Sequence, residues 1–340
     1  MPDLFARRLA LTTFVLLASL LLAACAPLPA SQTGSTAAAT ASDATQPVGA
    51  TETLKLALIP VLDTIPIYIA LQNGYFAEQG IAVETVPVKS PQERDVLLQT
   101  GQVDGVLTDL QGVGLLNKDA VRVKAVYTAR RPFPDAPLFR ILASPKAEIA
   151  TPAQLAGVEI GISNNTIIEY LTDRILAAEG LTPDQIKKLE VGAITVRFEQ
   201  LMNGNIQAAV LPDPLAQGAI AAGAKLIVDD TNYKQYSQSV LVFQNETLTA
   251  RPAAVRGFLV AWEKAVQEVN ANPDKYRSVL IEQGRVPESI QGTYQMPPFP
   301  ERGAPTESEV ADVAAWLKAK GLVARDLPYS DMVDPSFLPE

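Results

Sequence analysis

The chain has 340 residues, with 28 lysines and arginines against 37 aspartates and glutamates, for a formal charge of −9. So acidic a balance excludes the broad phosphate neutralisation on which nucleic-acid binding rests. The absence of histidine excludes Ser-His-Asp and Cys-His catalysis in their usual forms and histidine-ligated metal, and one cysteine excludes a disulfide framework.

The first element is a leader. Arg7 and Arg8 precede residues 9–22, which are apolar apart from Thr12, Thr13 and Ser19, and small residues Ala23 and Ala24 follow. That run is short of the ~20 residues a bilayer-crossing helix needs, so 1–24 reads as an export signal. Leu22-Ala23-Ala24-Cys25 resembles the lipobox of bacterial lipoproteins, which implies diacylglycerol on Cys25 as the mature first residue. Removing the leader moves the charge to −10. Residues 25–53, rich in Ala, Ser, Thr, Gly and Pro, cannot bury enough surface to order themselves and read as a flexible, lipid-anchored linker. The expected location is extracytoplasmic, tethered to the bacterial cell membrane.

From Leu54 the pattern alternates. Residues 54–59 read as a strand, 66–79 as a helix stopped by Gly80, and 81–88 as a second strand. A helix over 91–100 ends at Gly101, followed by strands over 105–107 and 121–127. The order then restarts, with a short helix at 151–155, where Thr151 caps and Pro152 takes the first helical position. Next come a strand at 158–162, a helix at 166–179 stopped by Gly180, and residues 186–191 leading into 195–198. A short helix at 198–204 and strands at 208–211 and 225–228 follow. Repeated strand, helix, strand order predicts an α/β fold of two lobes, each a mainly parallel sheet flanked by helices. Strands near 138–143 and 239–243 are placed to cross between lobes. The expected boundaries are 54–143 with 244–340 for lobe 1 and 144–243 for lobe 2. Helices at 253–271, 273–283 and 307–321 return to the first lobe.

Four segments carry a family resemblance. Asn73-Gly74-Tyr75-Phe76-Ala77-Glu78-Gln79-Gly80-Ile81-Ala82-Val83-Glu84 resembles the first-helix segment of the extracytoplasmic solute-binding proteins that include sulfonate, nitrate and thiamine-pyrimidine binders. Leu97 to Val106 resembles that family's segment in which a strand follows a Gly-x-x-Asp turn, here Gly101 to Asp104. The pattern recurs from Leu201 to Ala209, with Gln207 in place of the usual Asp, before Pro212-Asp213-Pro214. Residues 151–163 resemble the opening of the family's second lobe. The resemblance implies a periplasmic-binding-protein type II fold, with a ligand cleft that closes by a hinge motion. It also implies delivery of a small molecule to an ABC permease and ATPase, by a protein expected to act as a monomer. A sensing subunit for a signalling receptor is the alternative that shares the same closing lobes. A fungal pyrimidine synthase of this fold depends on an internal histidine and a cysteine-rich segment, and this chain has neither.

In open parallel sheets, ligands sit beyond the carboxyl ends of strands. Four such ends offer candidates: Asp63 and Thr64, with Tyr68 as a stacking wall; Thr108 and Asp109, with Gln111 beside them; Ser163, Asn164, Asn165 and Thr166, with Glu169 one turn inward; and Asp213 between two prolines. Leu62, Ile65, Tyr127 and Tyr170 are further candidate walls. Helix capping alone would account for Asp63, Thr64, Ser163 and Asn164, and turn chemistry for Asp109 and Asp213. None of the four ends contains Arg or Lys, so the expected crevice supplies carboxylates and no cations. That favours a neutral or cationic nitrogen heterocycle, such as a thiamine-precursor pyrimidine, over a sulfonate or nitrate. Arg130, Arg131 and Arg140 near the first crossing keep an anion in play. No cofactor or metal is implied. Nothing demands an enzyme, although Asp109 with Asp213 or Glu169 would be the pair for carboxylate hydrolysis.

Overall fold

The computed structural model describes residues 52–340. The leader, Cys25 and the linker up to residue 51 lie outside the described residues. Strand β1 (Glu52–Leu58) opens the fold two residues ahead of the expected start, because Glu52 and Thr53 pair in register with Ile81 and Ala82.

The first half continues with α1 (Ile65–Gln72), β2 (Ile81–Pro87), α2 (Pro91–Gln99), β3 (Gly105–Thr108), α3 (Leu110–Leu116) and β4 (Val123–Arg130). The expected helix over 66–79 is broken at Gly74, whose φ of 74° ends α1 before a further turn at Tyr75–Glu78. The second half runs β5 (Phe139–Ala143), β6 (Glu159–Ile162), α4 (Ile167–Ala178), β7 (Lys187–Glu190), α5 (Ile194–Asn203), β8 (Ala208–Pro212), α6 (Leu215–Ala221) and β9 (Lys225–Asp229). Then β10 (Ser239–Gln244) leads to α7 (Pro252–Ala271) and α8 (Glu307–Ala319).

Two five-stranded sheets result, ordered β2-β1-β3-β10-β4 and β7-β6-β8-β5-β9. The fourth positions hold β10, which returns to the first sheet after the second is complete, and β5, the first strand beyond the crossing. Those two strands run antiparallel to both neighbours, so the sheets are mixed rather than mainly parallel. They also move the expected boundaries. Residues 139–143 belong to the second sheet, bonded to β8 and β9, and 239–243 to the first. The crossings therefore fall within 131–138 and 230–238.

Helices α1 and α7 cover one face of the first sheet, where Phe76 stacks on Phe258 with ring centroids 5.1 Å apart. On the other face α3 packs against α8, and this apolar core continues into the second lobe through Ile160, Ile162, Tyr170 and Leu171. Neither α3 nor α6 was foreseen. Both carry glycines, which lower helix propensity by about 1 kcal/mol each. Close packing explains them, since a Cβ on Gly114 would collide with Leu317 of α8 and one on Gly218 with Pro287.

Candidate functional site

The carboxyl ends of β1, β3, β6 and β8 converge on a cavity of ≈ 100 Å³ between the two sheets. At the end of β3, Asp109 caps α3 by accepting from the Gly112 N–H at 2.7 Å. Its second oxygen accepts from the Ile167 N–H at 3.3 Å, the first residue of α4 in the opposite lobe. One carboxylate thus ties the N-termini of two helices across the cleft, where their dipoles favour negative charge. Burial nonetheless pushes its acid up, against the pull of Arg94 and of the two N–H groups.

At the end of β8, Asp213 accepts from Arg140 Nη2 at 2.9 Å and from the Tyr294 hydroxyl at 3.4 Å through one oxygen. Its other oxygen is buried without a partner. Burial raises this acid too, against Arg140 and Arg130. At the end of β6, Thr166 caps α4 by accepting from the Ile168 N–H at 3.2 Å and donates to the Ser163 carbonyl at 2.8 Å. The Ser163 hydroxyl has no partner. Asp63, beyond β1, faces Arg130 at 3.6 Å, an ion pair too long for a hydrogen bond.

Six of the expected residues therefore line the cavity: Asp63, Thr108, Asp109, Ser163, Thr166 and Asp213. Five do not. Thr64 is buried and donates to the Val61 carbonyl at 2.8 Å, closing a local turn. Tyr68 packs against the α1–α7 core. Asn164 and Asn165 are exposed, and their backbone N–H groups serve Glu190 and Glu169. Glu169 is buried but turns to Lys188, at 2.9 Å, and Lys320. Burial opposes its ionisation, yet those bonds and the Asn165 N–H hold its acid below the usual range. The wall candidates Leu62, Ile65 and Tyr127 belong to the α1–α7 core, and Tyr170 lies at the lobe junction beside Trp316. The apolar walls are instead Ile59, Leu107, Leu138, Phe139, Ile167 and Ile194.

The expectation of a crevice without cations is wrong. Arg94 on α2, Arg130 at the end of β4 and Arg197 on α5 all line it, each almost wholly buried. Arg94 reaches the Leu107 carbonyl at 3.3 Å. Arg197 donates to the Val210 carbonyl at 2.8 Å and the Val191 carbonyl at 2.7 Å, leaving Nη2 unpartnered. Burial pulls Arg197 down to about 10, against Glu190, so it stays charged at neutral pH. Arg94 and Arg197 enter from helices rather than from strand ends. Arg197, at helical spacing from Ile194 and Leu201, offered a faint signal, and Arg94, between Glu93 and Asp95, offered none.

Ten buried side-chain polar atoms among the described residues lack a hydrogen-bond partner, and seven belong to residues around this cavity. They are the hydroxyls of Thr108, Ser163 and Ser239, Arg130 Nε and Nη1, Arg197 Nη2 and Asp213 Oδ1. An orphaned buried polar atom costs about 1–3 kcal/mol, and these seven gather around one cavity. Among the described residues, no cluster of acidic, Cys or His side chains could hold a metal ion, and no helix is long and apolar enough to cross a membrane.

Paired mixed sheets, the first completed by a strand that returns from beyond the second, with a polar cavity between their strand ends, define the two-lobed binding fold of periplasmic-binding-protein type II. A solved structure of this kind is the ligand-binding component of an ABC-type import system from Staphylococcus aureus. It matches with a TM-score of 0.69 and 15% identity, over 84% of this chain and 98% of that one. The family model described as NMT1/THI5 like matches residues 62–276, and the chain belongs to that family. Among curated relatives, the formylaminopyrimidine-binding protein of Halalkalibacterium halodurans is 28% identical over 63% of this chain, which spans 65% of that protein's length. The riboflavin-binding protein RibY of Chloroflexus aurantiacus is 26% identical over 79% of this chain and 76% of its own.

Proposed function

We propose that this protein is the extracytoplasmic substrate-binding component of an ABC importer, which closes two lobes over a compact, neutral nitrogen heterocycle of the aminopyrimidine type and presents it to a permease. The observation that carries the ligand reading is the set of seven unpartnered atoms. Arg130 and Arg197 offer donors to ring nitrogens or carbonyl oxygens, Asp213 offers an acceptor to an amino group, and three hydroxyls can serve either. Most charges around the site have a counter-charge, since Asp63 faces Arg130, Asp213 bonds Arg140, Arg94 lies close enough to act on Asp109, and Glu190, outside the lining, acts on Arg197. A cationic ligand, half of the sequence-based preference, would meet these arginines in a poorly screened interior, so the neutral half is kept.

The same unpartnered guanidinium groups favour a second reading, an anion such as a sulfonate. A calorimetric titration of the full chain separates the two. The hydroxymethyl-aminopyrimidine half of thiamine should bind one to one with micromolar affinity, and ethanesulfonate should give no heat. The reverse result replaces the heterocycle with an anion. Lipidation at Cys25 would tether the binding body near its permease through residues 26–51, and 1–24 would be removed on export. The protein acts as a binder rather than a catalyst in this reading, because both Asp109 oxygens already accept backbone N–H groups. A permease and an ATPase encoded beside this chain would favour uptake, and a sensor kinase would favour signalling.

A further inference from the structure

The cavity is small for its task. Pockets that enclose drug-sized ligands run to ~300–1,000 Å³, several times the ≈ 100 Å³ found here. It has a larger neighbour. A groove of ≈ 610 Å³ lies between the first crossing, at Phe133–Pro137, and the loop at residues 293–298. Asp213 lines both spaces. On the groove side it is met by Arg140 and Tyr294, which bond one of its oxygens.

The junction is chemically unfinished. Asp213 Oδ1 and Arg140 Nε are both buried there without partners, although the two side chains are bonded to each other. The groove walls change character away from this point. Phe133, Tyr294, Met296 and Pro297 supply flat and polarizable apolar surface, with Asp135 and Gln295 exposed at the rim.

Resting on the heterocycle reading above, we infer that the ligand is bipartite: a compact polar ring fills the buried cavity, and a flat or chain-like substituent passes Asp213 into the groove against Phe133 and Met296. Asp213 then serves as the pivot between the two parts, accepting from the ring's amino group on one side and held by Arg140 and Tyr294 on the other. The ring in the cavity stays neutral, and the exposed Asp135 at the groove rim suits a substituent carrying positive charge or hydroxyl groups, outside the lining that Arg94, Arg130 and Arg197 share.

Thiamine and its hydroxymethyl-aminopyrimidine half are a matched pair for this test, since thiamine is that ring extended by a thiazolium. Both are titrated calorimetrically against the full chain and against Phe133→Ala and Met296→Ala variants, with melting curves to establish that the variants fold. Thiamine should bind at least tenfold tighter than the bare pyrimidine. Each variant should remove most of that advantage while leaving the pyrimidine within about twofold. If the pyrimidine binds and thiamine binds no tighter, or if its advantage survives both variants, the groove is not a ligand compartment and the heterocycle reading stands without it. If neither compound binds at millimolar concentration, the heterocycle reading and this inference both fall.

Discussion

Asp213 bonds Arg140 through one oxygen and keeps the other unpartnered, and on the proposed reading that second oxygen accepts from the solute. Asp213→Asn preserves shape while removing the charge and half of the acceptor capacity. The substitution should weaken binding of the aminopyrimidine about 10- to 100-fold, the range expected for a lost charge-assisted hydrogen bond, as read by titration. A second buried acid tunes stability. Asp230 accepts from the Leu138 and Phe139 N–H groups, each at 3.0 Å, and from the Ser237 hydroxyl, so it ties the two crossings together. Burial pushes its acid from 3.8 up to about 6, with Asp229 adding to the rise and the three bonds opposing it. Between those values the folded protein holds a proton that the unfolded chain releases. This group therefore stabilises the fold as pH falls from 7 towards 4, by up to ~3 kcal/mol, and the gain is lost as pH rises through 6. The Asp230→Asn amide does not titrate, so the melting-point gap between wild type and variant should widen in favour of wild type as the buffer is acidified. At this scale the acids and hydroxyls at strand ends were legible, because capping and turn chemistry put them there whether or not they bind. Arg94 and Arg197 were not, because a helix face is assigned only once its neighbours are known.

Closure is decided at the level of helices. α4 of the second lobe lies against α8, which packs on the first lobe through α3. Arg174 forks onto Asp312 with bonds of 2.8 and 3.0 Å, the Tyr170 hydroxyl meets the same carboxylate, and Trp316 Nε1 donates to Asp173 at 3.0 Å. Tyr170 and Trp316 pack edge to face at 5.5 Å. This clasp lies outside the cavity lining, so under the proposed closing motion it would act on the proportion of closed molecules rather than on ligand contacts. Asp312→Ala releases Tyr170 and Arg174 together. Apparent affinity should fall several-fold in proportion to the lost closed population, and scattering should show a larger radius of gyration without ligand. Unchanged affinity and radius would mean that the clasp does not limit closure. Strands and long amphipathic helices were readable from periodicity, whereas α3, with Gly112 and Gly114 inside seven residues and apolar side chains on every face, offers no amphipathic pattern to read.

For the molecule as a whole, two features follow from the strand order. The second lobe's sheet is one continuous stretch and the first lobe's sheet is completed by the returning β10, so only residues 131–138 and 230–238 connect the two sheets. The lobes can therefore rotate about two short segments without breaking a sheet. The alternating strand and helix pattern foretold two lobes, but not that residues 139–143 would pair in the second sheet and 239–243 in the first, because strand order depends on pairings that no local pattern encodes. Binding energy is then spent on closing a cleft rather than on folding, and a solute at a hundred times its dissociation constant should add about 2.7 kcal/mol to stability. Hydrogen exchange with and without the hydroxymethyl-aminopyrimidine tests closure over a shared cavity most directly. Amides at 108–112 and at 163–168, which come from opposite lobes, should slow together on addition of the solute. Protection confined to one lobe, or none in either, would contradict a ligand held between the two.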